Sequence, residues 1–464
     1  MTRDMARDLA TSFLRSGAFE DTLGRRVAIP TESQIPEGLP HMRRYLEDEM
    51  KPAFAAMGFE IRIFENPDPG AGPVLLATRD EGAGLTVLGY GHGDVIRGQA
   101  DRWTKGAGPW RLVRDGERLY GRGTADNKSQ HLINMAALDA VLRTRGNFGF
   151  NAKFIIEMAE ENGSRGLGEI IAADREAFSA DVFVASDGPR VSPDKPTISL
   201  GARGAENFDL SVRLREGGHH SGNWGGALAD PAMMLAHALA SICSPSGQIL
   251  VKDWLPPPMS NAVRDALKDV RLEPGADGPP IDDDWGEPGM TTAEKVYGWN
   301  AFAVLAMGSG NPAAPVNAIQ PEARAHCQLR YVAGTDVDDI LPALRRHLDS
   351  NGFSMVEIAP PSDRNAAGFR ASRTEPDHPW ALWAKATIKR TTGASPATIP
   401  QMGGSICNDL FTDLLGLPTI WIPHSYAGCS QHAPDEHVLI PVVENALDVM
   451  AGLYWDLGEP SLRP

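Results

Sequence analysis

The chain has 464 residues, is 42 % hydrophobic and carries a formal charge of −16. That length exceeds one small core and suggests roughly two to three domains. The acidic balance argues against non-specific binding of nucleic acid or of an anionic membrane surface, so neither is an expected partner.

The N-terminus, Met1 to Asp8, is charged and has no apolar signal-peptide core, and no uninterrupted apolar run is long enough to span a bilayer. Across 41–57, Met42, Tyr45, Leu46, Met50, Phe54 and Met57 fall at mostly helical spacing, with Pro52 set to kink or restart the helix. Short apolar runs at 60–64, 73–78 and 85–90 predict strands. A helix follows at 131–143, then strands at 152–158 and 181–186. This alternation predicts an α/β fold, a mixed and mostly parallel sheet covered by helices on both faces. Near residue 200 the pattern changes. Residues 206–214 and 322–332 alternate as half-exposed strands, 230–242 and 336–350 read as helices, and the Pro/Gly/Asp-rich 272–290 reads as loop. A smaller α+β domain is therefore expected at 203–365, inserted between 1–202 and 366–464, with the first pattern resuming near 376. Four scattered cysteines (Cys243, Cys327, Cys407, Cys429) form no CxxC pair, which fits reduced thiols in a cytoplasmic protein.

Residues with metal-ligand chemistry recur after the predicted strands. His92 follows 85–90, Glu160 and Glu161 follow 152–158, and Asp187 follows 181–186. Open α/β sheets build sites beyond the carboxyl ends of their strands. Asp126 lies in Gly121-Arg122-Gly123-Thr124-Ala125-Asp126-Asn127-Lys128, a tight turn before a helix. Each has an ordinary reading when taken alone: Asp126 as a helix N-cap, Asp187 as a turn residue, the glutamates as a solvated turn. Taken in order they supply carboxylate and imidazole ligands for two divalent cations. Two adjacent carboxylates facing one site repel unless a cation compensates; one can then bind metal while the other stays free as a base. Asp94 is placed to accept the other ring N–H of His92. His424, His432 and His437, in the loop past the apolar run 418–422, compete for the last ligand position. A paired metal site with a spare glutamate is machinery for splitting an amide bond with water.

In combination, Gly91-His92-Gly93-Asp94, the run from Tyr120 to Lys128, and Glu160-Glu161-Asn162-Gly163-Ser164 resemble one dinuclear metallopeptidase family. It includes carnosine dipeptidases, bacterial carboxypeptidase G, aminoacylase, acetylornithine deacetylase and succinyl-diaminopimelate desuccinylase. The resemblance runs from about residue 20 to 445. It implies two cations, zinc first and cobalt or manganese otherwise, bridged by Asp126. His92 and Asp187 would complete one ion, Glu161 and His432 the other, and Glu160 would be the general base. His432 is preferred because His-Ala-Pro-Asp-Glu, ending at Glu436, matches the family's terminal motif. The resemblance further implies a homodimer formed through the inserted lid domain, with the partner subunit's His220 reaching the active site. Asn317, Arg330 and the loop Gly403-Gly404-Ser405 would bind the substrate's carboxylate end. The expected substrate is a dipeptide, a C-terminal peptide or an N-acyl amino acid. A non-peptide amide on the same scaffold is the alternative, and a non-catalytic metal-stabilised binding protein a more distant one. Three departures bear on this: Ser129 stands where glycine is common, Gln320-Pro321 shifts the usual proline by one, and Met402 replaces a glutamate of some dipeptidases. Residues 244–300 are longer than a minimal lid domain requires and receive no role.

Overall fold

The computed structural model describes residues 2–272, 279–360 and 369–464. In chain order it has α1 (Arg3–Arg15), a helical run over 39–56, β1 (Glu60–Phe64), β2 (Val74–Arg79), β3 (Thr86–His92) and α2 (Lys128–Arg145). Then follow β4 (Asn151–Glu157), α3 (Leu167–Ala173), β5 (Val182–Ala185), β6 (Thr197–Ser199) and β7 (Gly204–Arg213). Next come α4 (Pro231–Ile242), α5 (Asn261–Leu267), α6 (Thr292–Tyr297), β8 (Ala301–Gly308), β9 (Glu322–Tyr331), α7 (Ile340–Ser350) and β10 (Glu357–Ala359). The chain closes with α8 (Pro379–Thr392), β11 (Ala397–Ile399), β12 (Thr419–Trp421) and α9 (Ile440–Leu457). The loop expected at 272–290 is irregular where described; residues 273–278 of it, and the expected boundary at 365, lie outside the described residues.

Eight strands form the large sheet in the order β1-β2-β4-β3-β5-β12-β6-β11. The centre, β4-β3-β5-β12, is parallel. Antiparallel pairs join β1 to β2, β2 to β4 and β12 to β6, so the sheet is mixed. Alternation decides which side chain meets which layer. Leu75, Ala77 and Val87 join α1, α2, α8 and α9 in one apolar cluster. Leu76, Leu88 and Tyr90 join α3, α5 and α6 in a second. Burial on both faces is why β3 and β5 read as continuous apolar runs.

Helix α2 lies between sheet and outer helices and is buried on nearly every side. Leu132, Ile133, Leu138 and Val141 each contribute about 1.5–3 kcal/mol by leaving water. Its close approach to β3 requires Gly91, because a Cβ there would sit 2.4 Å from His131 Cβ. The expected restart at Pro52 takes a specific form. Pro52 stands in the first turn of Lys51–Ala56, and a wider π-helical stretch, Tyr45–Met50, precedes it. A π turn accommodates the N–H that proline lacks and its bulk toward the preceding turn.

A separate four-stranded antiparallel sheet, β8-β9-β7-β10, comes from the inserted part of the chain. Helices α4 and α7 cover one face through a third cluster that includes Phe208, Leu329, Leu235 and Leu344. The fold is thus α/β with an inserted α+β unit. Helices α5 and α6, although inserted as well, belong to the second cluster, against the large sheet. Among the described residues no helix is long and apolar enough to cross a membrane.

Candidate metal centre

Three neighbouring parallel strands end at one edge of the large sheet. His92 is the last residue of β3 and pairs in register with Glu157, the last of β4; Glu160 and Glu161 follow β4, and Asp187 follows β5. Asp126 arrives from the turn before α2. The N-cap of α2 is Asn127, whose side chain makes no capping bond and instead donates from Nδ2 to Ser186 O at 2.8 Å. The N-cap reading of Asp126 therefore falls away, and its carboxylate faces the strand ends.

His92, Asp126 and Asp187 offer ligand atoms that all lie within 4.8 Å of one another, and so do Asp126, Glu161 and His432. His92 Nε2 lies 2.9 Å from Asp126 Oδ1 and 3.6 Å from Asp187 Oδ2. His432 Nε2 lies 3.2 Å from Asp126 Oδ2 and 2.9 Å from Glu161 Oε2. Glu160 belongs to neither group, yet its Oε2 is 4.0 Å from His92 Nε2. Asp126 is common to both groups. Two carboxylates and an imidazole in each group form a donor set suited to divalent cations.

The electrostatics point the same way. Burial raises the Glu160 carboxyl well above its ordinary value; His92 partly offsets this, and repulsion from Asp187, Glu161 and Asp126 adds to it. Burial and the Asp126 charge push Glu161 up to about 7 despite a hydrogen bond to His432. Burial alone would lower His432, but Asp126 and Glu161 raise it to about 11. For His92, too, burial is outweighed by Asp126, Asp187 and Asp94, and its value rises well above the ordinary one. Burial opposes ionisation of Asp126 as well, yet His432 and His92 hold its carboxyl well below the usual range. Carboxylates crowded in low dielectric need positive charge, and divalent cations would supply it.

The other two histidines of the terminal loop are engaged elsewhere. His424 is buried with Nε2 at 3.0 Å from Ser186 Oγ, and His437 Nε2 lies 2.6 Å from Tyr426 Oη. Asp94 sits beside His92, with Oδ1 at 3.4 Å from Nδ1. The backbone carbonyl of Asp94 is nearer, at 3.1 Å. Its carboxylate has a further task that the sequence did not disclose, accepting the backbone N–H of Glu160 and of Glu161 at 3.1 Å each.

Two more residues support Asp126 in ways the sequence motifs did not disclose. Glu436 accepts from Arg122 Nη1 at 2.7 Å and from the backbone N–H of Gly123, Ala125 and Asp126. It thereby ties the Asp126 turn to the His432 loop. Its place four residues after His432 was the available signal. Gln431 donates from Nε2 to Asp126 Oδ2.

A cleft of about 340 Å³ opens beside the cluster, lined in part by Asp126, Glu160, Asp187, His432 and Gly403, Gly404 and Ser405. Arg330 Nη1 donates to Ser405 Oγ at 2.7 Å, and Ser405 Oγ donates to Arg203 O. Arg203 Nε and Nη2 both donate to Gly403 O, at 3.0 and 2.8 Å. Burial and the like charge of Arg330 lower Arg203 to about 10. Arg203 carries no sequence motif that would have singled it out. His220 and Asn317 do not line the cleft. They sit together on the inserted unit, where His219–His220 pairs with Ala318–Ile319 and Ser221 N donates to Asn317 O at 2.9 Å.

The model of peptidase family M20/M25/M40 matches residues 88–456, well over half the chain. A cysteinylglycine-S-conjugate dipeptidase of Corynebacterium striatum is 29 % identical over 336 residues, 69 % of each chain. A Beta-Ala-His dipeptidase of Mus musculus is 32 % identical over 253 residues, so the alignment spans 51 % of each chain. Among solved structures, human carnosine dipeptidase 1 superposes with a TM-score of 0.77 at 23 % identity, covering 98 % of this chain and 99 % of that one. An M20 family metallo-carboxypeptidase of Sulfolobus solfataricus gives 0.78 at 20 % identity, covering 94 % and 98 %. These two likenesses establish a common fold. With a shared-aspartate donor cluster at the sheet edge and a family match over most of its length, the chain belongs to peptidase family M20/M25/M40 and is a metallopeptidase.

Proposed function

We propose that this enzyme hydrolyses the amide bond of a dipeptide, a C-terminal peptide or an N-acyl amino acid, with Glu160 as general base. One observation carries the reading: two donor groups share Asp126, and Glu160 stands beside them but in neither. His92, Asp126 and Asp187 would hold one divalent cation, and Asp126, Glu161 and His432 the other; zinc is the first choice, with cobalt or manganese as substitutes. Such cations, when bound, acidify water and polarise a carbonyl oxygen. Glu160 takes the proton of the attacking water and returns it to the leaving amine. Asp94 positions His92 and both glutamate backbones. Arg330, Asn317 and the loop Gly403–Ser405 hold the substrate's carboxylate, for which a guanidinium is fitted because its fork meets both oxygens.

The catalytic unit would comprise 1–202 and 366–464, and the inserted 203–365 would close over it and dimerise. The partner subunit's His220 then donates to the developing oxyanion. Exposed apolar side chains on the edge strand β8, Val304, Leu305 and Met307, support a pairing face there. Relatives named as dipeptidases support the dipeptide class.

The test is hydrolysis by enzyme loaded with Zn²⁺, Co²⁺ or Mn²⁺, assayed on dipeptides, N-acyl amino acids and aryl amides. Glu160→Gln should keep its metal and lose about 100- to 10,000-fold in kcat. Near-normal turnover by that variant would refute the assigned base. Exclusive cleavage of aryl amides would refute the substrate class.

A further inference from the structure

One wall of the cleft comes from the stretch 244–300, which is longer than a minimal lid domain requires. Helix α6 is set by a capping box: Thr291 N donates to Glu294 Oε2 at 2.8 Å, and Glu294 N donates to Thr291 Oγ1 at 3.3 Å. Ala293 and Tyr297 of this helix, with Val263 and Leu267 of α5, join the apolar cluster that contains Ile399, Met402 and Ile406. The helix is thereby fixed against the catalytic unit and not against the inserted sheet. Its last turn brings Val296 and Tyr297 to the cleft, where Ile399, Met402 and Ile406 complete the same wall.

This wall adjoins the loop proposed to hold the substrate's carboxylate. A Cβ on Gly403 would sit 3.2 Å from Val296 Cγ1 and 3.9 Å from Tyr297 Cε1. The acidic side chains lining the cleft are Asp126 and Asp187, which belong to the donor groups, and Glu160, which stands beside them. Away from these three the described lining offers no carboxylate to neutralise a cationic side chain. Arg203 stands behind the glycine with Nε and Nη2 given to Gly403 O, and it does not line the cleft. A charged side chain pressed on this wall would lose water without gaining a partner, whereas an apolar one gains by burial.

We infer that Val296, Tyr297 and Met402 are specificity residues that receive an apolar side chain on the carboxylate-bearing residue of the substrate. This rests on the amide-hydrolase reading and narrows it: the residue released is of the Leu, Met or Phe class. In an apolar pocket one methylene discriminates about 10- to 200-fold.

The test measures kcat/KM of the metal-loaded full chain on Gly-Gly, Gly-Leu, Gly-Phe, Gly-Asp, Gly-Lys and Leu-Gly, with N-acetyl-leucine alongside. Gly-Leu and Gly-Phe should exceed Gly-Asp and Gly-Lys by about tenfold or more. Val296→Ala, which removes little volume, and Tyr297→Ala should each narrow the Gly-Leu to Gly-Gly ratio by about tenfold, through KM more than kcat. Equal cleavage of Gly-Leu, Gly-Asp and Gly-Lys would overturn the inference while leaving the hydrolase intact. So would a preference for Leu-Gly over Gly-Leu, or an unchanged ratio in both variants. Cleavage of none of these substrates would overturn the hydrolase reading, and the inference with it.

Discussion

At the scale of single residues, the proposed ligands compete for protons before they bind anything else. Glu161 is pushed up to about 7 and His432 to about 11. A cation entering the group of Asp126, Glu161 and His432 must displace whatever protons these side chains hold, so affinity falls as pH falls. His92 is raised as well, so zinc affinity measured by chelator competition should weaken by about tenfold or more per pH unit as pH falls from 8 to 6. An affinity independent of pH between 6 and 8 would contradict this ligand set. His92, Glu160, Glu161 and Asp187 were legible because each follows an apolar run, whereas Asp126 and His432 were legible only through the motifs around them. Asp94 was only half legible: its neighbour His92 is close in sequence, but the backbone N–H groups of Glu160 and Glu161 that it accepts come from a different strand end.

At the scale of elements, the loop carrying His432 is held in an unfavourable shape. Ser430, His432 and Asp435 all have positive φ, a conformation that costs side-chain-bearing residues about 1–3 kcal/mol each. Glu436 offsets this by accepting four hydrogen bonds, three of them from the backbone of the Asp126 turn. Glu436→Ala would leave Arg122 buried without its carboxylate, a loss of about 3–5 kcal/mol. It would also free the Asp126 turn. We expect a lower Tm together with weaker binding of both cations; an unchanged Tm with full metal content would show that the clasp does neither. This clasp was not legible. It joins residues 311 apart and depends on the short pairing of Arg118–Tyr120 with His437–Leu439, strands too brief to carry a periodic pattern. The central strands were legible for the opposite reason: burial on both faces leaves an uninterrupted apolar signature. Helices α5 and α6 fall between these cases. Their capping and apolar residues were present in the sequence, but nothing local says which core they join.

At the scale of the whole molecule, we propose that two subunits share the site; His220 and Asn317 stand on the inserted unit and do not line the cleft of their own chain, which supports that reading. A mixed dimer of His220→Ala and Glu160→Ala subunits should regain a fraction of activity, since one of its two composite sites is intact. Mixed dimers as inactive as either parent would contradict sharing across the interface. The change of pattern near residue 200 made the insertion legible, whereas its contribution to a partner's site rests on family resemblance, since one chain's pattern says nothing about a neighbour. The proposed mechanism depends most on Asp126 being common to two ions. Metal analysis by mass spectrometry addresses that directly: the wild-type chain should hold two divalent cations, one for each donor group, and Asp126→Ala should lose both. Full metal content in Asp126→Ala would contradict the shared carboxylate.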